Sequence, residues 1–218
     1  MLRQELQSYF DKVYPGSQII TQHTLGGQVH IRFELGDGIP NGSSERVNQA
    51  TERAITLFTD TFKDPDSEIF ILIYEYQDSN IFDVDRKYLY KQFPSRLFNG
   101  FYNQLESVNS RMIIKDENGN EALEKYEARI IIGKLPVKDI NIRNILNGIG
   151  NTEMGIDSGI DQSIYFFDPL TDKGFHMYDD RGCYVWSNSA DKIRDIYINR
   201  NNWIVDYHRP EIDEYFNK

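Results

Sequence analysis

The stretch "SIYFFDPLTDKGFHMYDDRGCYVWS", Ser163 to Ser187, is the most legible part of the chain. It holds three apolar-aromatic runs, "SIYFFD", "GFHMY" and "CYVWS", separated by Pro169-Leu170-Thr171-Asp172-Lys173 and by Asp179-Asp180-Arg181-Gly182. Short runs rich in Phe, Tyr, Ile and Val, bounded by turn formers, read as strands joined to their neighbours antiparallel. The segment therefore predicts a three-stranded meander. In the second turn, Asp at the first position accepts from the amide two residues on, and Gly at the last supplies a positive φ. That accounts for Asp179 and Gly182. It gives no reason for Asp180 and Arg181 to stand beside Tyr178 and His176.

Helices are predicted downstream of the meander. Ser189 is placed to cap one carrying Ile193, Ile196 and Tyr197, and Pro210 opens another with Ile212, Tyr215 and Phe216. Upstream, "EIFILIYEY" (68–76) is an unbroken apolar run, which suits a strand covered on both faces in the middle of a sheet. "GQVHIRFELGDG" alternates, turning Val29, Ile31, Phe33 and Leu35 one way and His30, Arg32 and Glu34 the other. Helical spacing appears in Leu2, Leu6, Phe10 and Val13. It recurs after a Ser43 or Ser44 cap in Val47, Ala50, Ala54, Leu57, Phe58 and Thr61, and again in Ile142, Ile145, Leu146 and Ile149. Residues 85–108 are expected to be helical with a break at Pro94, aligning Leu97, Phe98, Phe101, Tyr102 and Leu105. "RMIIK" and "YEARIIIGKL" flank a polar turn at 115–125, the candidate boundary between two lobes of one domain spanning 1–218. The class is α+β: a mostly antiparallel sheet flanked by helices, with a C-terminal three-stranded meander followed by two helices.

Lys and Arg number 24 against 34 Asp and Glu, a formal charge of −10 that repels phosphate backbones and argues against nucleic acid as a partner. The same field attracts a basic protein. The single cysteine, Cys183, excludes an intramolecular disulfide and any Cys-based zinc site, as expected of a reducing compartment. The opening "MLRQELQSYFDKVYPG" is neither a secretory signal nor a membrane span, so a cytoplasmic location is expected. Neither glycine-rich phosphate-binding pattern occurs, and no cofactor is implied.

Three functional readings compete for the Asp-Asp-Arg turn. A metal-dependent hydrolase would use Asp179 and Asp180 as hard oxygen ligands, yet adjacent side chains on a turn rarely converge on one ion. A Cys183–His176 pair is the nucleophilic version, set against the commoner case of a small buried thiol. The third reading assigns no catalytic and no metal-binding residue and makes the turn a partner-binding tip, since arginine and aromatics are favoured anchors. Its residues are His176, Tyr178, Asp179, Asp180 and Arg181, joined by Arg32 and Glu34 from the alternating strand and by Arg209 from "DYHR". On the bland reading Arg32 and Glu34 form a solvated charge ladder and Arg209 belongs to a loop and cap.

"RFELG" (32–36), "FHMYDDRGCYV" (175–185) and "NNWIVDYHRPEID" (201–213) together resemble a bacterial domain family of unknown function found mostly in Firmicutes. The matching positions are Arg32, Glu34, Tyr178, Asp179, Asp180, Arg181, Gly182, Trp203, Asp206 and Arg209, while Tyr184 replaces an expected acidic residue. The Tyr-Asp-Asp-Arg-Gly hairpin is also similar to those of immunity proteins that protect bacteria from polymorphic toxins. The resemblance implies no established activity. The expected function is therefore a non-enzymatic cytosolic binding protein, with toxin neutralisation as its specific form. A metal-dependent hydrolase and a structural module of a larger assembly are the alternatives, and the oligomeric state is left open.

Overall fold

The computed structural model describes residues 1–77, 84–95, 100–115, 119–154 and 158–217. In chain order its elements are α1 (Leu2–Val13), β1 (Val29–Glu34), α2 (Ser44–Thr61), β2 (Glu68–Tyr76), α3 (Lys87–Tyr90), β3 (Tyr102–Lys115) and β4 (Glu121–Pro136). There follow α4 (Ile142–Asn151), β5 (Ser163–Asp168), β6 (Lys173–Asp179), β7 (Gly182–Ser187), α5 (Ala190–Asn199) and α6 (Arg209–Phe216). The seven strands form one sheet in the order β1-β7-β6-β5-β2-β4-β3, with every neighbouring pair antiparallel.

The unbroken apolar run of β2 has a simple cause. Side chains alternate across a strand, and here both faces are covered. Ile69, Ile71 and Ile73 join one core with Ala50, Ala54, Leu57 and Phe58 of α2 and with residues of α4, α5 and α6. Phe70, Leu72 and Tyr74 join a second core with Leu6 and Phe10 of α1. β5 divides in the same way, Ile164 and Phe166 to the first core, Tyr165 and Phe167 to the second. Aromatic edges dominate the packing: Phe58 meets Phe62, Phe166 and Phe175 at ring separations of 4.8, 5.2 and 5.5 Å. α2 starts where Ser43 Oγ accepts from the Arg46 amide at 3.2 Å, an N-cap whose loss typically costs ~1 kcal/mol. Ser189 occupies the equivalent place before α5 without making that bond.

The meander is present as expected, β5, β6 and β7 pairing in sequence. Residues 85–108 correct the expected broken helix. One helical turn covers Lys87–Tyr90, and Tyr102 to Val108 pair with Ile132 to Tyr126 as part of β3. Leu105 is 54% exposed, so it belongs to no buried stripe, while Leu97 and Phe98 lie outside the described residues. Here the ladder offered by β4, a contact distant in sequence, overrides a local helical period. β3 and β4 pair antiparallel with Lys115 opposite Glu121, so 121–125 of the expected polar turn belong to β4 instead.

The two edges of the sheet differ. Beside β1, Val205 donates to the Arg32 carbonyl at 3.1 Å and Phe33 bridges Ile204. Beside β3, Asn109 donates to the Ile20 carbonyl at 2.9 Å. Beyond Asn109 the β3–β4 register shifts, and Met112, Ile113 and Ile114 stand 62, 64 and 43% exposed.

Candidate functional site: the hairpin corner and the β1 face

The turn between β6 and β7 is a clamped corner. Asp179 Oδ1 accepts from the Arg181 amide at 2.7 Å, the expected Asx turn, and its other oxygen accepts from Arg181 Nε at 2.7 Å. Asp180 accepts from Nε of Arg46, on the first turn of α2, at 2.5 Å. The two side chains of that pair are only 13% and 11% exposed. Arg46 also donates to the carbonyls of Gly36 (2.6 Å) and Ile39 (2.8 Å), and Leu35 donates to the Arg181 carbonyl at 2.9 Å. The corner thereby ties the meander to α2 and to the loop after β1. Gly182 is required here by close approach rather than by a positive φ: a Cβ would lie 2.2 Å from Tyr178 Oη and 2.5 Å from the Phe33 carbonyl.

Each carboxylate of the turn is thus occupied by a different arginine, which removes the converging oxygens that a metal-dependent hydrolase would need. Among the described residues no group of three or more His, Cys, Asp or Glu side chains is placed to hold an ion. The Cys183–His176 pair is also separated by the sheet. Cys183 is fully buried in the α2-side core, and burial raises its thiol pKa strongly. His176 points to the other face, where it stacks on Tyr165 at 4.0 Å and 12°.

His176 needs correction as a surface contact, for it is only 4% exposed. Its Nδ1–H donates to the Ile164 carbonyl at 2.8 Å. Burial, with the nearby positive charge of Arg111, lowers its pKa to about 3. The folded state therefore binds fewer protons than the unfolded chain. The stabilisation is complete above the ordinary histidine value of 6.5 and is lost as the pH falls toward 3, with a limiting slope of about 1.4 kcal/mol per pH unit. Urea unfolding across this range is expected to show stability falling more steeply with acid in the native protein than in His176→Gln, the difference between the two approaching that slope. An unchanged slope would assign the acid sensitivity to other groups.

Arg209 is likewise spent on the fold. It donates to the Asn201 side chain and carbonyl, both at 3.0 Å, to the Ile204 carbonyl at 3.3 Å and to Asp206 at 3.4 Å. None of these bonds reaches the corner.

Arg32, Tyr178 and Arg181 are brought together around the corner. Arg32 Nε donates to Tyr178 Oη at 3.0 Å, and its guanidinium lies 5.3 Å from the Tyr178 ring centre and 5.9 Å from that of Tyr184. Burial raises the Tyr178 pKa to about 12, against the opposing effect of Arg32. The expected Arg32–Glu34 pair does not form among the described residues. Glu34 is exposed, and its carbonyl accepts from Arg53 at 3.1 Å. Arg181 is the open side chain of the turn, 62% exposed.

Two residues escaped the sequence reading. Arg46 sits within a helical stripe and looks like an ordinary surface arginine. Arg111, in "RMIIK", reaches across to rest 5.7 Å from the Tyr165 ring centre and 5.6 Å from that of Tyr184, and donates to the Leu25 carbonyl at 3.0 Å. No local pattern signals either contact, because each partner is distant in sequence.

No helix among the described residues is long and apolar enough to cross a membrane. No curated protein and no solved structure matches the chain. A family model described as "Domain of unknown function (DUF3885)" does match, over residues 6–208. The match takes in the meander, the clamped corner and the β1 face alike, so the chain belongs to the DUF3885 family.

Proposed function

We propose that the chain is a non-enzymatic binding protein that takes a basic protein partner, and that neutralising a bacterial toxin in the cytoplasm is its specific role. The observation that carries this reading is the outermost strand. β3 ends the sheet and leaves Leu105, Met112, Ile113 and Ile114 between 43 and 64% exposed, where an ordinary monomer scatters exposed apolar residues singly. An edge strand also offers unpaired backbone groups to an extended segment of a partner. The formal charge of −10 favours encounter with a basic surface. Arg181, with Arg32, Tyr178, Asp179 and Glu34 around it, supplies a second contact area. Asp180, His176 and Arg209 act through the fold.

The same exposed strand supports a second reading, a structural module of a larger assembly. Light scattering separates the two, since an obligate oligomer closed through β3 favours assembly and a monomer favours a foreign partner.

Affinity capture from the chain's native cells is the direct test, using the unaltered protein and Ile113→Asp side by side. Ile113 is 64% exposed, so the substitution is expected to change stability by no more than ~0.5 kcal/mol. One protein should be retained by the unaltered chain, lost from the variant and released by salt. Expressed alone it should arrest growth, and co-expression with this chain should restore it. Equal retention by Ile113→Asp would remove β3 from the interface. A retained protein that is harmless by itself would remove the toxin.

A further inference from the structure

The geometry points to a small-molecule site on the α1 side of the sheet: a cavity beside Arg111 that takes an anion, a carboxylate or phosphate carried on a planar apolar body. The cavity has a volume of about 480 Å³, and its walls include His23, Leu25, His30, Arg111, Tyr184 and Trp186. That size falls within the usual range for small-molecule sites, and no carboxylate lines it.

The arginines identify the charge of the ligand. Nine of those described, Arg3, Arg46, Arg86, Arg129, Arg143, Arg181, Arg194, Arg200 and Arg209, stand within 4 Å of a carboxylate. An acidic chain has carboxylates to spare, so this is the default. Among the described residues Arg32, Arg53 and Arg111 are the exceptions. Two of these three meet at one ring: Tyr184 has Arg111 at 5.6 Å and Arg32 at 5.9 Å from its centre.

A guanidinium resting on an aromatic face is held in position while the donors at its edge remain free. Arg111 spends a donor on the Leu25 carbonyl, and the rest of its planar fork suits the paired oxygens of a carboxylate or phosphate. Arg32 adds a second positive charge beside the cavity. Of the apolar residues in its wall, half-buried Tyr184 has surface left to meet the body of the ligand, while Leu25 and Trp186 are buried behind it. The backbone around the cavity is closely fitted, since a Cβ on Gly27 would lie 2.1 Å from the Ser187 carbonyl oxygen.

Calorimetric titration of the whole chain with phenyl phosphate, benzoate and uncharged benzyl alcohol tests the site. Saturable binding of one or both anions at millimolar concentration is expected, with none of the alcohol. Phenyl phosphate alone would assign a phosphate ester and benzoate alone a carboxylate. Arg111→Gln should weaken binding at least tenfold, whereas Arg53→Gln, whose guanidinium lies over Trp203, should leave it unchanged. Resonance shifts caused by the bound anion in the unaltered protein should centre on Tyr184 and His30, a readout independent of whether a variant folds. Binding of neither anion, equal binding of the alcohol, undiminished binding by a folded Arg111→Gln, or shifts centred elsewhere would each overturn the proposal.

Discussion

Asp180→Ala is expected to destabilise the protein by about 3–5 kcal/mol, while Arg181→Ala, one residue along the same turn, changes stability by less than about 1 kcal/mol. Both residues form an ion pair, and the difference lies in solvent. Arg181 is 62% exposed and pairs with a residue two positions away, so truncating it leaves a short-range contact that water replaces. Asp180 faces a guanidinium only 11% exposed. Removing its carboxylate strands Arg46 with the Gly36 and Ile39 carbonyls as its acceptors, and a buried charge without its counter-ion is what makes such truncations costly. Asp180→Asn should fall between the two, because it keeps an acceptor and loses the charge. Arg46→Met combined with Asp180→Leu should recover most of the loss, since matched apolar residues tolerate burial that a lone ion does not. Denaturant midpoints at unchanged slope would measure all four. A cost for Asp180→Ala near that of Arg181→Ala would show that the corner is not clamped and would return Asp180 to the list of surface contacts.

Gly174→Ala should lower stability by about 3 kcal/mol, the upper end of the cost of inserting one carbon into a packed core. Gly174 pairs directly with Trp186 across β6 and β7, and the indole lies over it. An added Cβ would sit 2.1 Å from Cε2 and 2.4 Å from Nε1 of that ring. The ring has little freedom to retreat. It is 1% exposed and abuts Phe167 at 5.5 Å and Tyr165 at 6.5 Å between ring centres. For a chain of this length the loss corresponds to a fall of roughly 6–12 °C in Tm, and a red shift in tryptophan emission would report the displaced indole. Pairing the substitution with Trp186→Leu should be less damaging than the sum of the two single changes, because the smaller side chain vacates the space the methyl needs. A Tm within a few degrees of the unaltered protein would mean that the indole does not lie against Gly174.

Much of the fold was legible in the sequence because the deciding signals are local. Alternation in 28–38, the helical stripe of 47–61 and the three runs of 163–187 each read a repeat of two or of 3.6 residues, and burial on one face imposes that repeat directly. The failure at 85–108 marks the limit. Phe101, Tyr102 and Leu105 fit a helical stripe as well as anything else in the chain, yet β4 recruits 102–108 into the sheet, and the hydrogen-bonded partner that decides between the two states lies some twenty to thirty residues further along the chain.

The site divides along the same line. Asp179 and Gly182 were recognisable as turn residues, although Gly182 is held to glycine by the nearness of Tyr178 and Phe33. The roles of Asp180, His176 and Arg111 depend on what stands opposite them: Arg46 from α2, Tyr165 from the next strand, Tyr184 from across the sheet. The class of fold, the meander and the acidic character of the chain could be read from residues alone, since these follow from side-chain chemistry and its spacing along the chain. Which charges are spent on one another and which stay free emerges with the packed chain, because an ion's partner, and the water excluded around it, are set by groups that meet only after folding.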